Sequence, residues 1–276
     1  MNKDHIVQFS PTESDINVAF VNDQFDVYFQ PQASIKSGRT VGLEALVRWN
    51  HSNYGILSPF YFLDVVHQVG RSYDLFKIVL EKALSAVKKL HESGYSLSVS
   101  VNVEALVLTE CGFIQAVINA LSKFAFPPSN LILELTEIRA PKRNCDLLKV
   151  MSRLRMKGIQ LSIDDFGTGN SSLTRLVEGP FTELKIDMNF VKQMLRSYKH
   201  MAAVRSSIEL AHSLNIKVVA EGVEVYDQFR QLQMLGCDLI QGFYFSKPLS
   251  MLQTQRFVEN AITLYDNNME PESLFS

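Results

Sequence analysis

QLSIDDFGTGNSSLTRLVEGPFTELKID, residues Gln160–Asp187, joins two strand signals that each end in charged side chains. Leu161-Ser162-Ile163 leads into paired acids, Asp164 and Asp165, followed by the glycine-bracketed turn Phe166-Gly167-Thr168-Gly169. A second apolar stretch then ends in Lys185, Ile186 and Asp187. A carboxylate at a strand end beside glycine-rich backbone suits a hard divalent cation, which wants oxygen ligands and close main-chain approach. A plain solvated turn is the competing account of such an Asp-Gly stretch, and the rest of the chain decides between them.

Outward from this stretch one unit recurs: an apolar strand, a polar residue at its end, a loop and an amphipathic helix. Leu97–Val101 ends in Asn102, Leu131–Leu133 in Glu134, Glu183-Leu184 in Lys185, Lys217–Ala220 in Glu221 and Leu239-Ile240 in Gln241. Helical spacing appears at Leu147, Leu148, Met151 and Leu154 before Gly158, and at Val204, Ile208 and Ala211 before Asn215. Nearer the start, Val27-Tyr28-Phe29 reads as a strand closed by Gln30-Pro31, and Thr40–Trp49 as a strand carrying Glu44 and Arg48 among apolar neighbours. Ser58-Pro59 reads as a cap and first turn of a helix over Phe60–Val69, and Ser72–Ser93 as one long amphipathic helix. Strands alternating with helices indicate a parallel sheet, and about seven or eight strands in ~250 residues fit an α/β fold of the (β/α)8 TIM-barrel type. An open doubly wound sheet is the alternative; it is disfavoured because no GxGxxG follows the first strand and because nearly every strand ends in a functional-looking side chain.

With 276 residues, 46% hydrophobic and 20% charged, the composition is that of a globular chain with a large core. A net charge of -2 provides no overall basic field for duplex nucleic acid, so a phosphate-bearing ligand must be held locally. Cys111, Cys145 and Cys237 show no CxxC or zinc-like spacing, which suits a reducing compartment. The first residues lack a signal-peptide core, and no apolar run reaches the ~18 residues of a membrane span, so a cytoplasmic location is expected. Residues 1–14 read as a linker, 15–258 as the barrel and 259–276 as a helix end with a polar tail.

In a barrel the strand ends converge on one mouth, where active sites of this fold lie. Glu44, Asn102, Glu134, Asp164, Asp165 and Glu221 would bring five carboxylates and one amide there. Like charges so placed repel by several kcal/mol at an effective dielectric of about 20, and two divalent cations would relieve that repulsion. An oxygen-only ligand set favours Mg2+ or Mn2+. Two such ions about 4 Å apart bind a phosphodiester and activate a water for in-line attack. A single acid at a strand end is more often a cap or a surface ion pair, but six residues in phase are hard to explain that way. Lys185, between Leu184 and Ile186, reads as a positioned charge. Arg48, four residues after Glu44, shares its strand face and would pair with that acid or with a substrate phosphate. Glu137 reads equally as a helix cap or a loop brace.

Gln30-Pro31, Glu44-Ala45-Leu46-Val47-Arg48, Val101-Asn102, Leu133-Glu134-Leu135-Thr136-Glu137, Asp164-Asp165-Phe166-Gly167-Thr168-Gly169, Leu184-Lys185-Ile186-Asp187, Ala220-Glu221-Gly222-Val223-Glu224, Gln241-Gly242 and Phe245-Ser246-Lys247-Pro248 occur in the order of the signatures of the EAL-domain family. The chain resembles these bacterial cyclic di-GMP phosphodiesterases from about Asp15 to Val258. The resemblance implies a TIM-type barrel modified by one antiparallel strand near the start, opening one phosphodiester of cyclic di-GMP to give linear pGpG. It implies that Glu44, Asn102, Glu134 and Asp164 ligate one metal, with Asp164 bridging to a second held with Asp165 and Glu221. It further implies that Lys185 contacts the attacking water, Glu221 serves as its base, Gln241 positions the water shell and Glu137 braces the loop after Asp165. Gln30, Arg48, Asp187 and Pro248 would contact substrate. Homodimerisation after that loop, and regulatory domains outside this piece, are implied as well. Asn170, the Glu178–Thr182 segment and Ile138 depart from the family pattern, around the loop rather than among the ligands. A receptor that binds cyclic di-GMP without turnover, a scaffold, and an enolase-type proton abstractor using Lys185 are the competing functions.

Overall fold

The computed structural model of the chain describes residues 10–135, 144–167 and 173–266. Its strands are β1 (Phe25–Ser34), β2 (Thr40–His51), β3 (Gly55–Leu57), β4 (Ser98–Val103), β5 (Leu131–Leu135), β6 (Gln160–Phe166), β7 (Glu183–Ile186), β8 (Lys217–Ala220) and β9 (Leu239–Ile240). The helices are α1 (Glu13–Val21), α2 (Leu63–Gln68), α3 (Ser72–Glu92), α4 (Ala105–Leu108), α5 (Phe113–Lys123), α6 (Asn144–Met156), α7 (Leu173–Glu178), α8 (Met188–Gln193), α9 (Tyr198–Ser213), α10 (Tyr226–Met234) and α11 (Met251–Asp266). The sheet runs β1-β9-β8-β7-β6-β5-β4-β2-β3, and β1 also pairs with β2. That pairing closes the sheet into a barrel, leaving β3 as a hairpin extension of β2. β1 is antiparallel to both its barrel neighbours, β2 and β9, whereas the ladder from β2 through β4 to β9 is parallel. The modified barrel with one antiparallel strand near the start is therefore present.

Side chains alternate across a strand, so the sheet has an apolar outer face and an inner face of different chemistry. Leu43, Ala45, Val99, Val101, Leu133, Leu161, Ile163 and Leu184 are buried in the apolar core with Leu80, Ala83, Leu84 and Val87 of α3. The helix α3 forms as its apolar periodicity requires. On the opposite phase lie Gln30, Gln32, Glu44, Ser100, Glu134, Ser162, Glu183 and Lys185, all buried. A barrel interior is ordinarily filled by branched apolar residues; this one is filled largely by polar side chains.

Two local expectations change. The first strand does not close at Gln30-Pro31 but continues to Ser34. Phe29 exchanges hydrogen bonds with Leu249, and Ala33 pairs with Ile240. Pro31 has the same phase, so its missing N–H faces the gap between those two pairings, where no ladder bond is lost. The helix expected over Phe60–Val69 is split into a 3-10 turn, Pro59–Tyr61, and α2; Ser58 makes no side-chain cap. Phe62 breaks it with φ of -137°, because its ring is buried against Phe25 and Trp49 at 5.5 and 5.8 Å. The last helix, α11, runs from Met251 to Asp266.

The turn after β9 is packed more tightly than the sequence suggests. A Cβ on Gly242 would lie 2.2 Å from the Val223 carbonyl oxygen and 2.3 Å from its nitrogen, because Val223 bonds to Gln241 and Tyr244 on either side. Gly242→Ala is expected to destabilise the fold by about 1–3 kcal/mol through overpacking. Urea unfolding checks this, and an unchanged midpoint would contradict the close approach.

Candidate active site

Cross-strand partners face the same side of the sheet, so register carries the strand-end residues into one cluster. Gln30 lies opposite Glu44, Asn102 opposite Glu134, Glu134 opposite Ser162, and Ser162 opposite Glu183. Lys185 stands one pleat above Glu183. At the centre is the Lys185 ammonium, whose residue is 1% exposed. Its Nζ lies 2.6 Å from Glu221 Oε1, 2.8 Å from Glu134 Oε2, and 3.6 Å from both Glu44 Oε2 and Asp164 Oδ1. Glu44 accepts from Asn102 Nδ2 through Oε1 at 2.9 Å and from Gln241 Nε2 through Oε2.

Asp164 and Asp165 are neighbours, and in a regular strand they would point to opposite faces. The β6–β7 register shifts between Ile163 and Phe166, and Asp165 adopts φ of 51°. This bulge turns the second acid toward the first, using a left-handed conformation that aspartate tolerates better than most residues. The Asp165 N–H donates to Asp164 Oδ1 at 3.0 Å. As a result, one carboxylate oxygen each from Asp164, Asp165 and Glu221 lies within 4.8 Å of the others.

Burial and crowding set the charge states. Burial pushes Glu134 well above the usual carboxylate range; Lys185 opposes this, while Glu44, Asp164 and Glu183 add to it. Burial, reinforced by Asp164 and Glu44 against the pull of Lys185, raises Glu221 to about 8. Burial and then the charges of Asp164 and Asp187 raise Asp165 to about 6. At Glu44 burial is overcome by Lys185 and by the hydrogen bonds from Gln241 and Asn102, which hold the carboxyl below its ordinary value. Burial opposes the charge on Lys185, but Asp164, Glu134, Glu221 and Glu44 together raise it well above the usual lysine range.

Every expected ligand within the described residues is therefore brought to the barrel mouth: Glu44, Asn102, Glu134, Asp164, Asp165 and Glu221. The donor set fits a hard divalent cation, being all oxygen and including the buried Glu134 Oε1, which has no hydrogen-bond partner among the described residues. Gln241 is buried and touches Glu44. Gln30 donates Nε2 to the Ser246 carbonyl at 3.0 Å, and Pro248 is half-buried beside Leu249, which bridges to Phe29. Arg48 does not pair with Glu44. It donates Nη1 to the Val47 carbonyl at 2.8 Å, with its guanidinium 5.6 Å from the Tyr28 ring centre. Asp187 caps α8, accepting at Oδ1 from the Asn189 N–H and Nδ2, and its carboxyl also meets Asp165. Glu137, Ile138 and the Thr168–Ser172 part of the loop lie outside the described residues. Sequence reasoning missed Gln32 and Glu183, both buried inside the barrel; their two-residue spacing from Gln30 and Lys185 was the available signal.

The model of a known family, the EAL domain, matches residues 13–248. The chain is 34% identical over 239 residues to the cyclic di-GMP phosphodiesterase RocR of Pseudomonas aeruginosa, covering 87% of this chain and 61% of RocR. It is 35% identical over 236 residues to the bifunctional diguanylate cyclase/cyclic di-GMP phosphodiesterase MucR of the same organism, covering 85% of this chain and 34% of MucR. A solved structure of the PaMucR phosphodiesterase in complex with c-di-GMP superposes with a TM-score of 0.82 at 35% identity, covering 87% of this chain and 98% of that one. The chain thus spans about three fifths of RocR and a third of MucR. Among the described residues no helix is long and apolar enough to cross a membrane.

A cation at these oxygens must displace the protons that the raised carboxyls hold. Folding raises both groups, so their stabilising contribution is complete below the ordinary carboxylate range. It is lost as pH rises through about 6 at Asp165 and about 8 at Glu221. In EDTA the melting temperature is therefore expected to fall across that window, while Mg2+ affinity rises and proton release on binding diminishes. Calorimetry in buffers of differing ionisation enthalpy measures both; an affinity independent of pH would contradict the assignment.

Proposed function

The chain belongs to the EAL domain family, and from that premise we propose that it hydrolyses cyclic di-GMP to linear pGpG in a reaction dependent on divalent metal. The observation that carries this reading is the cluster at the barrel mouth. Asp164, Asp165 and Glu221 converge to within 4.8 Å, beside a glutamate oxygen unpartnered among the described residues and a lysine buried among four carboxylates. The relatives named as cyclic di-GMP phosphodiesterases support the choice of substrate.

In this reading two divalent ions, Mg2+ or Mn2+, would be held by Glu44, Asn102, Glu134, Asp164, Asp165 and Glu221. When bound, the ions supply Lewis-acid activation of a water and neutralise charge on the phosphodiester. The chain's own groups do the rest. Lys185 Nζ, fixed between Glu134 and Glu221, is a donor that cannot rotate away; it orients the attacking oxygen. Glu221, raised to about 8 until a cation lowers it, is assigned as the group that takes the proton. Gln241 holds Glu44 in its ligating orientation. Arg48, with the rest of its fork unused by the Val47 carbonyl, contacts a substrate phosphate, while Gln30 and Pro248 shape the adjoining wall. Asp187, which meets Asp165 and caps α8, is assigned to the substrate contacts as well. Glu137 is assigned the bracing of the loop after Asp165.

The catalytic unit is assigned to residues 15–258. Pairing of two copies would use α7, where Leu173 and Val177 are exposed, and regulatory domains would lie outside this piece, as the lengths of RocR and MucR suggest. The test is nucleotide chromatography after incubation with cyclic di-GMP. We expect pGpG with Mg2+ or Mn2+, none with EDTA, and loss of at least ~100-fold in kcat for Glu44→Ala. Ca2+ in place of Mg2+ is expected to slow turnover, because its looser coordination misplaces the groups it holds. An intact dinucleotide that nonetheless binds would favour the receptor.

A further inference from the structure

We propose that Gln32 is a positioning residue for this reaction: its amide sets the orientation of Gln241, and through it the ligating orientation of Glu44. The inference rests on the phosphodiesterase reading for its kinetic consequences but on the hydrogen bonds of the barrel interior for its geometry. Gln32 lies on β1, is 0% exposed, and pairs across the ladder with Gly42. It donates Nε2 to Gln241 Oε1 at 2.9 Å. Gln241 donates its own Nε2 to Gln30 Oε1 at 3.1 Å and to Glu44 Oε2. Gln30 in turn donates Nε2 to the Ser246 carbonyl at 3.0 Å.

An amide group can turn over, exchanging its donor for its acceptor, and only its partners decide which way it points. The Ser246 carbonyl can only accept, which fixes Gln30 with its oxygen toward Gln241. An ionised Glu44 can only accept, which draws the Gln241 N–H groups to the same side. The Gln241 oxygen is then left facing β1 in a residue that is 4% exposed, where an unpartnered carbonyl is costly. The Gln32 N–H group meets it. Gly42 makes room for this arrangement, since a Cβ there would lie 2.7 Å from Gln32 Oε1 and 2.6 Å from Ser98 Oγ. Two residues of β1, the one antiparallel barrel strand, therefore clamp Gln241 from opposite ends of its amide, and the clamp terminates on a carboxylate of the cation cluster.

The test uses the full chain with Gln32→Leu, which removes the donor, and Gln32→Glu, which replaces it by a titrating group. For Gln32→Leu, Mg2+ affinity measured by calorimetry without substrate is expected to weaken about tenfold. Its kcat should fall by at least about tenfold, with KM for cyclic di-GMP within about twofold of wild type. Gln32→Glu is expected to resemble wild type at low pH, where the introduced carboxyl is protonated and donates to Gln241. It should lose Mg2+ affinity and kcat as pH rises, when an ionised acceptor faces the Gln241 oxygen and turns the amide over. A buried carboxyl at this position lowers the melting temperature as pH rises in either case. The separating readout is therefore the new pH limb in Mg2+ affinity and kcat of protein still folded at each pH, which a merely structural role would not produce. If Gln32→Leu fails to fold, Gly42→Ala displaces Gln32 without changing its chemistry and is expected to weaken Mg2+ binding to a similar extent. Folded variants that keep Mg2+ affinity within about twofold, or a Gln32→Glu profile parallel to that of Gln32→Leu, overturn the proposal. A wild-type protein that binds Mg2+ but leaves cyclic di-GMP intact overturns the phosphodiesterase reading instead, and the calorimetry still judges Gln32.

Discussion

A lysine ammonium with almost no access to water, held among four carboxylates, is the constraint on which the rest of this structure depends. Lys185 could not stay charged if buried alone, because desolvation would drive an isolated ammonium to the neutral amine. Its partners must come from β2, β5, β6 and the end of β8, which are far apart in sequence and adjacent to the lysine only once the barrel is closed. Buried ion clusters of this kind contribute little net stability, since desolvation consumes most of the attraction between the charges. Their retention is better explained by chemistry at the barrel mouth than by folding.

Stability has to come from elsewhere, and the two faces of the sheet divide the work. Outside the barrel, Val99, Val101, Leu133, Leu161 and Leu184 pack with α3 and the other helices as a continuous apolar layer, and area burial there is the main favourable term. Inside, Gln32, Ser100, Ser162 and Glu183 replace the branched residues usual in such barrels. Gln32 Oε1 and Ser100 Oγ have no side-chain or main-chain partner among the described residues, which is consistent with an interior built to orient groups rather than to exclude water. The antiparallel β1 belongs to this arrangement, since it places Gln30 and Gln32 on the same inner face as Glu44 and Gln241.

The crowding also explains the spread of acidity across chemically similar groups. At Glu44 burial is overcome by Lys185 and by hydrogen bonds from two amides, which hold it ionised; at Glu134 and Glu221 burial, reinforced by neighbouring carboxylates against the pull of the lysine, favours the neutral form. Burial, with amides on one side and like charges on the other, thus differentiates three glutamates that share one cation.

Much of this was legible in the sequence because strand and helix periodicities are local. The apolar runs ending at Asn102, Glu134, Lys185, Glu221 and Gln241 announce strands, the alternation of strands with helices announces a parallel barrel, and barrel closure places the strand ends at one mouth. Tertiary structure alone decided the details that require a distant neighbour. Phe62 breaks a helix that Ser58-Pro59 would start, because its ring belongs with Phe25 and Trp49. Pro31 sits inside a strand because its missing donor faces a gap in the ladder. Arg48 bonds to the Val47 carbonyl rather than to the Glu44 that shares its face. Asp164 and Asp165 reach the same site only through a bulge set by pairing with β7. Sequence by itself determined which residues reach the mouth of the barrel, since that follows from periodicity along the chain; which of them touch, and with which atom, depended on register and packing between segments that meet only in the closed fold.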